Sequence, residues 1–287
     1  MRQGPIHEFT FDPYISCNCF ELDQIILHLS RNHTVKKLRL ALDSEYSYKL
    51  PLCAFSMHQL TDLDLSHVDI DHQPIFSGFG SLRSLSLYSV DISTKALLHL
   101  LSNCPSLKRF SLLGFIGCKD CTIIELFDCL HVIEDLTIYG YNARQLVLDS
   151  VPEELSTSLI HLKYFCFEEM SLDDDHHLTF YAVLIKCSPN LEKIVLVAEL
   201  EYYDVNEIYS GILEKYSDVW LEHMKELVVD YFNNLKPSME FVKFILARSP
   251  KLKKVLIGSV VEKDEEAEML KVLLQAPRAS TVEIVVM

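Results

Sequence analysis

The stretch Leu60-Thr61-Asp62-Leu63-Asp64-Leu65-Ser66-His67-Val68 is followed by Leu82-Arg83-Ser84-Leu85-Ser86-Leu87-Tyr88-Ser89-Val90. Both carry one pattern: leucine, two variable residues, leucine, one variable residue, leucine. Its second half alternates as a strand with one buried face must, with Leu63 and Leu65 to one side and Asp64 to the other. The pattern extends outward to Val35-Leu38-Leu40, Leu107-Phe110-Leu112, Ile133-Leu136-Ile138 and Leu162-Phe165-Phe167. It continues as Leu191-Ile194-Leu196, Met224-Leu227-Val229 and Leu252-Val255-Ile257. So short a strand cannot bury its apolar face alone, so the units must stack into a parallel sheet.

The central residues are separated by 25, 22, 25 and 26 residues from Leu38 to Leu136, then by 29, 29, 33 and 28 as far as Val255. Such periods are those of leucine-rich repeats, with longer return segments late in the chain. The spacing predicts an α/β solenoid: a curved parallel sheet of nine or ten strands with helices on the convex side, in irregular repeats. Ser93 is a helix N-cap before Leu97, Leu98 and Leu101, and Pro105 ends that return. Pro189, Pro250 and Pro277 repeat the stop. Further helices are expected over 22–30, 178–185, 239–247 and 264–275, and late strands over 224–230, 253–258 and 282–286. Regular repeats place an asparagine or cysteine three residues after the last strand leucine; here Val68, Val90, Phe115 and Met170 stand there. The turn amides therefore need other partners, and an irregular, flattened horseshoe is expected.

Twenty-six Lys and Arg against forty-one Asp and Glu give a formal charge of −15, which disfavours nucleic acid because no basic stripe is available to displace phosphate counterions. The acid is concentrated late: residues 199–240 hold ten acidic and three basic side chains. Nine irregularly spaced cysteines are an odd number. Cys53, Cys104, Cys166 and Cys187 sit at or beside apolar repeat positions, as free thiols in a reducing compartment do. No stretch approaches the length of a membrane span. The expected setting is intracellular, in the cytoplasm or nucleus, with no membrane partner.

Cys118-Lys119-Asp120-Cys121 has no second ligand pair at zinc-finger spacing, so a pair of loop thiols is the expected reading. Cys17-Asn18-Cys19 is a weaker pair still. Asp173-Asp174-Asp175-His176-His177 has metal-ligand chemistry, yet five consecutive residues converge poorly on one ion. An acidic capping turn at a helix start accounts for it better. No nucleophile elbow, phosphate loop, dinucleotide fingerprint or metalloprotease motif occurs. The expectation is a protein with no catalytic residues, no metal and no cofactor.

The outward centres of the strands read Arg39, Asp64, Ser86, Ser111, Thr137, Cys166, Val195, Val228 and Leu256. With His67, Tyr88 and Tyr139 nearby, this defines an expected concave protein-binding face: Arg39, Asp64, His67, Ser86, Tyr88, Ser111, Thr137, Tyr139, Val195 and Val228. Its early half is polar and its late half apolar. The apolar half either meets a partner or lies under the acidic 199–220 segment with Tyr202, Tyr203, Ile208 and Tyr209.

Several segments, taken in order, carry a resemblance. Gly4-Pro5-Ile6-His7-Glu8-Phe9, Leu29-Ser30-Arg31-Asn32, Tyr48-Lys49-Leu50-Pro51, Val151-Pro152-Glu153-Glu154-Leu155 and His161-Leu162-Lys163-Tyr164 resemble the plant F-box/FBD/LRR-repeat proteins. Leu221-Glu222-His223-Met224-Lys225-Glu226-Leu227, Met239 to Leu246 and Ser249-Pro250-Lys251-Leu252-Lys253-Lys254 resemble their FBD module. The resemblance implies a leucine-rich-repeat region over 1–215 and an FBD-like module over 216–287 that continues the sheet. It also implies the substrate-recognition part of an SCF-type ubiquitin ligase receptor, whose target is a protein. The chain opens at the strand that follows the family's F-box. A Skp-type adaptor is therefore expected only if an F-box is supplied elsewhere, and the alternative is a stand-alone binding or competitor protein with no ligase role. Around Gly114–Thr122 the chain also carries less repeat sequence than the family pattern.

Overall fold

The computed structural model describes residues 4–12, 19–32, 34–43, 48–70, 79–114, 120–147, 159–172, 174–198, 212–216, 218–233, 235–261 and 263–287. Two compact units divide the chain, Met1–Ile133 and Glu134–Met287. The expected module over 216–287 falls within the second.

In the first unit the elements run β1 (Glu8–Phe11), α1 (Cys19–Asn32), β2 (Lys37–Ala41), β3 (Tyr48–Lys49), β4 (Asp62–Ser66), β5 (Val68–Ile70) and β6 (Ser84–Tyr88). They continue with β7 (Asp91–Ile92), α2 (Thr94–Ser102), β8 (Arg109–Leu113) and α3 (Ile123–Cys129). Strands β1, β2, β4, β6 and β8 pair in that order, all parallel. The register aligns the repeat leucines: Leu38 with Leu63, Leu85 and Phe110, and Leu40 with Leu65, Leu87 and Leu112. Every one of these eight side chains is buried. At Leu22, Ile26 and Leu29 the helix α1 adds a stripe at helical spacing. As expected, Ser93 accepts the Ala96 N–H at the start of α2, which buries Leu97 and Leu101; Leu100, rather than Leu98, completes the stripe. Thr122 and Glu125 cap α3 reciprocally.

The second unit contains β9 (Asp135–Tyr139), α4 (Gly140–Val147), β10 (Tyr164–Met170), α5 (Asp175–Cys187), β11 (Lys193–Ala198) and the short α6 (Ile212–Lys215). After these come β12 (Glu226–Phe232), α7 (Lys236–Arg248), β13 (Lys254–Ser259), α8 (Lys263–Gln275) and β14 (Glu283–Val286). Strands β9 to β14 pair consecutively and parallel. Leu136, Phe165, Ile194, Leu227, Val255 and Ile284 form one inward row, and Ile138, Phe167, Leu196, Val229, Ile257 and Val286 the next. Phe180 of α5 lies 6.3 Å and 5.7 Å, between ring centroids, from Phe165 and Phe167, so the helices sit on this inward side. Residues Phe180 to Ile185 are all buried, as in a helix apolar on every side. In contrast, α8 buries little beyond Met269 and Leu273, and Asp264, Glu265 and Glu266 occupy the turn where the helix dipole favours acid.

Turn amides that lack an asparagine find other partners. Val68, Val90 and Met170 are buried, each filling the turn with an apolar side chain; Phe115 lies outside the described residues. The His67 N–H donates to the Tyr88 carbonyl and the Ser89 N–H to that of Leu113, each at 2.9 Å. Beyond the turns, β3, β5 and β7 make a small second parallel sheet that the leucine spacing does not reveal. His67, Ser89 and Gly114 have left-handed backbones, each four residues after a central strand position; Glu169 and Tyr231 repeat this in the second unit. Only at Gly114 is the residue suited to it: a Cβ there would lie 2.2 Å from Ser89 Oγ.

The two faces of one strand make a direct test. Leu85→Ala removes a rung of the inward row and is expected to cost ~2–5 kcal/mol of unfolding free energy. Ser86→Ala, one residue on and facing outward, should stay within ~0.5 kcal/mol. Urea titration followed by circular dichroism checks both, and similar costs would contradict the assignment of faces.

Candidate functional site

In the first unit the outward residues Arg39, Asp64, Ser86 and Ser111 stand side by side on adjacent strands. Their charges are matched within the face. Arg39 Nε lies 3.3 Å from Asp64 Oδ2, Arg109 Nη2 lies 3.3 Å from Asp62 Oδ1, and Lys37 Nζ lies 3.8 Å from Glu8 Oε2. Exposed pairs of this kind contribute little to stability; their effect is to leave the surface electrostatically quiet. At its edge the rings of His67 and Tyr88 meet edge to face at 5.4 Å, with Tyr88 46% exposed.

The corresponding row of the second unit is Thr137, Cys166, Val195, Val228, Leu256 and Val285. All but Cys166 are half-buried. Cys166 is in the outward register yet only 7% exposed, which corrects the reading of it as a surface position. The Tyr164 side chain hydrogen-bonds to it, and burial pushes its thiol up to about 11. Toward the strand starts the row reads Asp135, Tyr164, Lys193, Glu226, Lys254 and Glu283, with Lys193 Nζ 2.9 Å from Glu226 Oε1. Toward the strand ends it reads Tyr139, Glu168, Val197 and Asp230.

The ends of β9 and β10 are tied together by His177. Ser171 N–H donates to Nδ1 at 3.0 Å, so the ring is neutral at that nitrogen and Nε2–H donates to the Gly140 carbonyl at 3.0 Å. Burial is the main influence on His177 and drives its pKa below that of a free imidazole, against the opposing pull of Asp174. As expected for a capping turn, Asp174 accepts from the His176 and His177 N–H groups at the start of α5. Burial opposes ionisation of Asp174, but His177, those two N–H groups and Arg144 outweigh it, and its pKa is lowered. Tyr139 Oη donates to Glu169 Oε2. Gly140 is required by space: a Cβ there would lie 2.1 Å from the Glu169 carbonyl oxygen.

The other motifs fall as follows. Cys118, Lys119, the Cys17-Asn18 pair and Asp173 lie outside the described residues, as does 199–211 of the acidic segment. Cys121 is buried in the turn that leads into α3. Among the described residues no group of three or more His, Cys, Asp or Glu is placed to hold a metal ion. Among them, too, no helix is long and apolar enough to cross a membrane. Glu168, Glu169, Asp230 and Tyr231 belong to the strand-end rim and were not singled out from the sequence. The available signal was the step of two from the row centres Cys166 and Val228.

Parallel strands in register, each presenting its repeat leucines inward and its variable residues outward, define a leucine-rich-repeat protein. Residues 24–152 match the family model described as FBD-associated F-box protein At5g56370, LRR repeats. The chain is related to the F-box/FBD/LRR-repeat proteins. It is similar to the F-box/FBD/LRR-repeat protein At1g13570 of Arabidopsis thaliana, 25% identical over 331 residues that cover 98% of this chain and 79% of that protein. Among solved structures it is similar to the leucine-rich-repeat-containing protein LegL7 of Legionella pneumophila, at 14% identity and a TM-score of 0.41, covering 93% of this chain and 97% of that one.

Two measurements test the rim. Gly140→Ala should destabilise by ~1–3 kcal/mol through overpacking against the Glu169 carbonyl; an unchanged urea midpoint would contradict the close approach. Native His177 binds a proton less readily than the unfolded chain, so its stabilising contribution is complete above pH ~6.5 and is lost as pH falls below that. The urea midpoint should therefore drop between pH 7 and pH 5, less steeply in His177→Gln. Asp174, also lowered, acts only below pH ~4. Parallel pH curves for the two proteins would refute the assignment.

Proposed function

We propose that this chain is a protein-interaction module, the substrate-recognition part of an SCF-type ubiquitin ligase receptor, working in the cytoplasm or nucleus. One observation carries the binding part. Variable outward side chains are aligned across adjacent parallel strands in each unit, on a scaffold whose inward rows are buried from β2 to β8 in the first unit and from β9 to β13 in the second. Such a face suits a protein target, because it offers extended rows of side chains rather than a converging set of reactive groups. The proposed contact residues are Arg39, Asp64, His67, Ser86, Tyr88 and Ser111 in the first unit and Thr137, Tyr139, Val195 and Val228 in the second. The relation to the F-box/FBD/LRR-repeat proteins supports the ligase part. Adaptor recruitment itself depends on an F-box, which these repeats do not provide.

Affinity purification of the full chain from plant cells, followed by mass spectrometry, tests both parts. A Skp-type adaptor and a cullin are expected with the wild-type chain only if an F-box is supplied elsewhere. Specific partners should be lost with Val195→Asp/Val228→Asp while circular dichroism stays unchanged. Partners without adaptor or cullin would leave a stand-alone binding protein, and partners indifferent to the substitutions would remove the sheet face from binding.

A further inference from the structure

The outward face of the second unit has an apolar strip with unmatched acid at one end. Val195, Val228 and Leu256 lie in register on β11, β12 and β13, half-exposed and ~4.8 Å apart from strand to strand. Two residues toward the strand ends, Glu168 and Asp230 share one row with Val197 between them. Among the described residues no Lys or Arg pairs with either carboxylate. By contrast, Lys193 meets Glu226 at the opposite end of the same strands, and Arg39, Lys37 and Arg109 each meet an acid in the first unit. Burial, together with the neighbouring Glu169, makes the Glu168 carboxyl harder to ionise than usual, and an added cation would relieve this. The Asp230 carboxylate lies over the bare α-carbon of Gly258, where a Cβ would come within 2.1 Å of Oδ1. Tyr231, 40% exposed, directly follows Asp230 at the end of β12. Carboxylates with an exposed tyrosine next to an apolar strip are the complement of a cation carried on an apolar segment.

We infer that this face docks a partner-protein segment with apolar side chains on Val195, Val228 and Leu256 and a Lys or Arg at Glu168 and Asp230. The inference rests on the protein-binding reading above and specifies its partner. A second copy of this chain is the wrong occupant, because two surfaces from a chain of charge −15 repel. The second unit carries most of that charge, fifteen Lys and Arg against twenty-seven Asp and Glu.

Short random peptides displayed on phage and selected on the full chain provide the probe. The selected sequences are then titrated as fluorescein-labelled peptides by anisotropy. Expected are peptides that combine Lys or Arg with aliphatic residues. Glu168→Gln/Asp230→Asn should weaken them about tenfold and flatten their salt dependence, and Val228→Asp should weaken them at least as much. Lys95→Ala, exposed on α2 in the first unit and away from the outward rows, should leave them unchanged. Peptides sensitive to Val228→Asp but acidic, or indifferent to the double charge substitution, would overturn the inference and leave the binding face intact. Failure to select any peptide sensitive to Val228→Asp would overturn both.

Discussion

One backbone interaction recurs at the start of the repeats, and the rest of the structure depends on it. The carbonyl of the residue just before a strand accepts two successive N–H groups from the next repeat. His7 receives Lys36 and Lys37, Lys36 receives Thr61 and Asp62, Thr61 receives Arg83 and Ser84, and Arg83 receives Lys108 and Arg109. In the second unit Glu134, Lys163, Glu192 and Lys225 do the same for 163–164, 192–193, 225–226 and 253–254. A carbonyl has two lone pairs, so both donors are satisfied at once. The double bond leaves no freedom to slide by one residue. A slip of one would turn every leucine outward and every variable residue inward. Side-chain rows on both faces therefore follow from where one carbonyl sits.

The strand ends are governed differently. Apolar residues occupy the places where an asparagine would bond the turn, and the backbone answers with left-handed residues and, in the first unit, with a second small sheet. A non-glycine residue in that conformation costs ~1–2 kcal/mol. His67, Ser89, Glu169 and Tyr231 all bear it, and all lie on the rim beside the outward rows. Strain is thus concentrated where the exposed aromatics and carboxylates are, and the cores behind them remain regular. At Glu169 and Tyr231 the pairing also shifts register, so each strand bends as it reaches the rim.

The inward architecture was legible because its signal is periodic. Leu38, Leu63, Leu85 and Phe110 could be aligned by counting, and Ser93 and Asp174 declared their helix starts through side-chain chemistry. The rim was less legible. Positive φ at His67 or Tyr231 has no residue signature, since neither is the glycine or asparagine that marks it elsewhere. The role of His177 depends on Gly140, thirty-seven residues away, and on Ser171, and no local pattern joins them. Cys166 shows the limit of alternation: it sits in the outward register, yet flanking side chains cover it. Facing can be read by counting residues, whereas exposure depends on the size of the neighbours.

The doubled carbonyl contact has a consequence for how such chains diverge. It fixes the strand start and says nothing of the length of the path back, which runs from 22 to 33 residues between successive central positions. Closing a longer loop is cheap, since doubling its length adds only ~0.6 kcal/mol of closure entropy. Insertions and deletions in the returns are therefore nearly neutral for the strand rows. A lineage of such proteins has two independent substrates for change: point substitutions that redraw the outward rows, and length changes that reshape their surroundings without disturbing the register that aligns them.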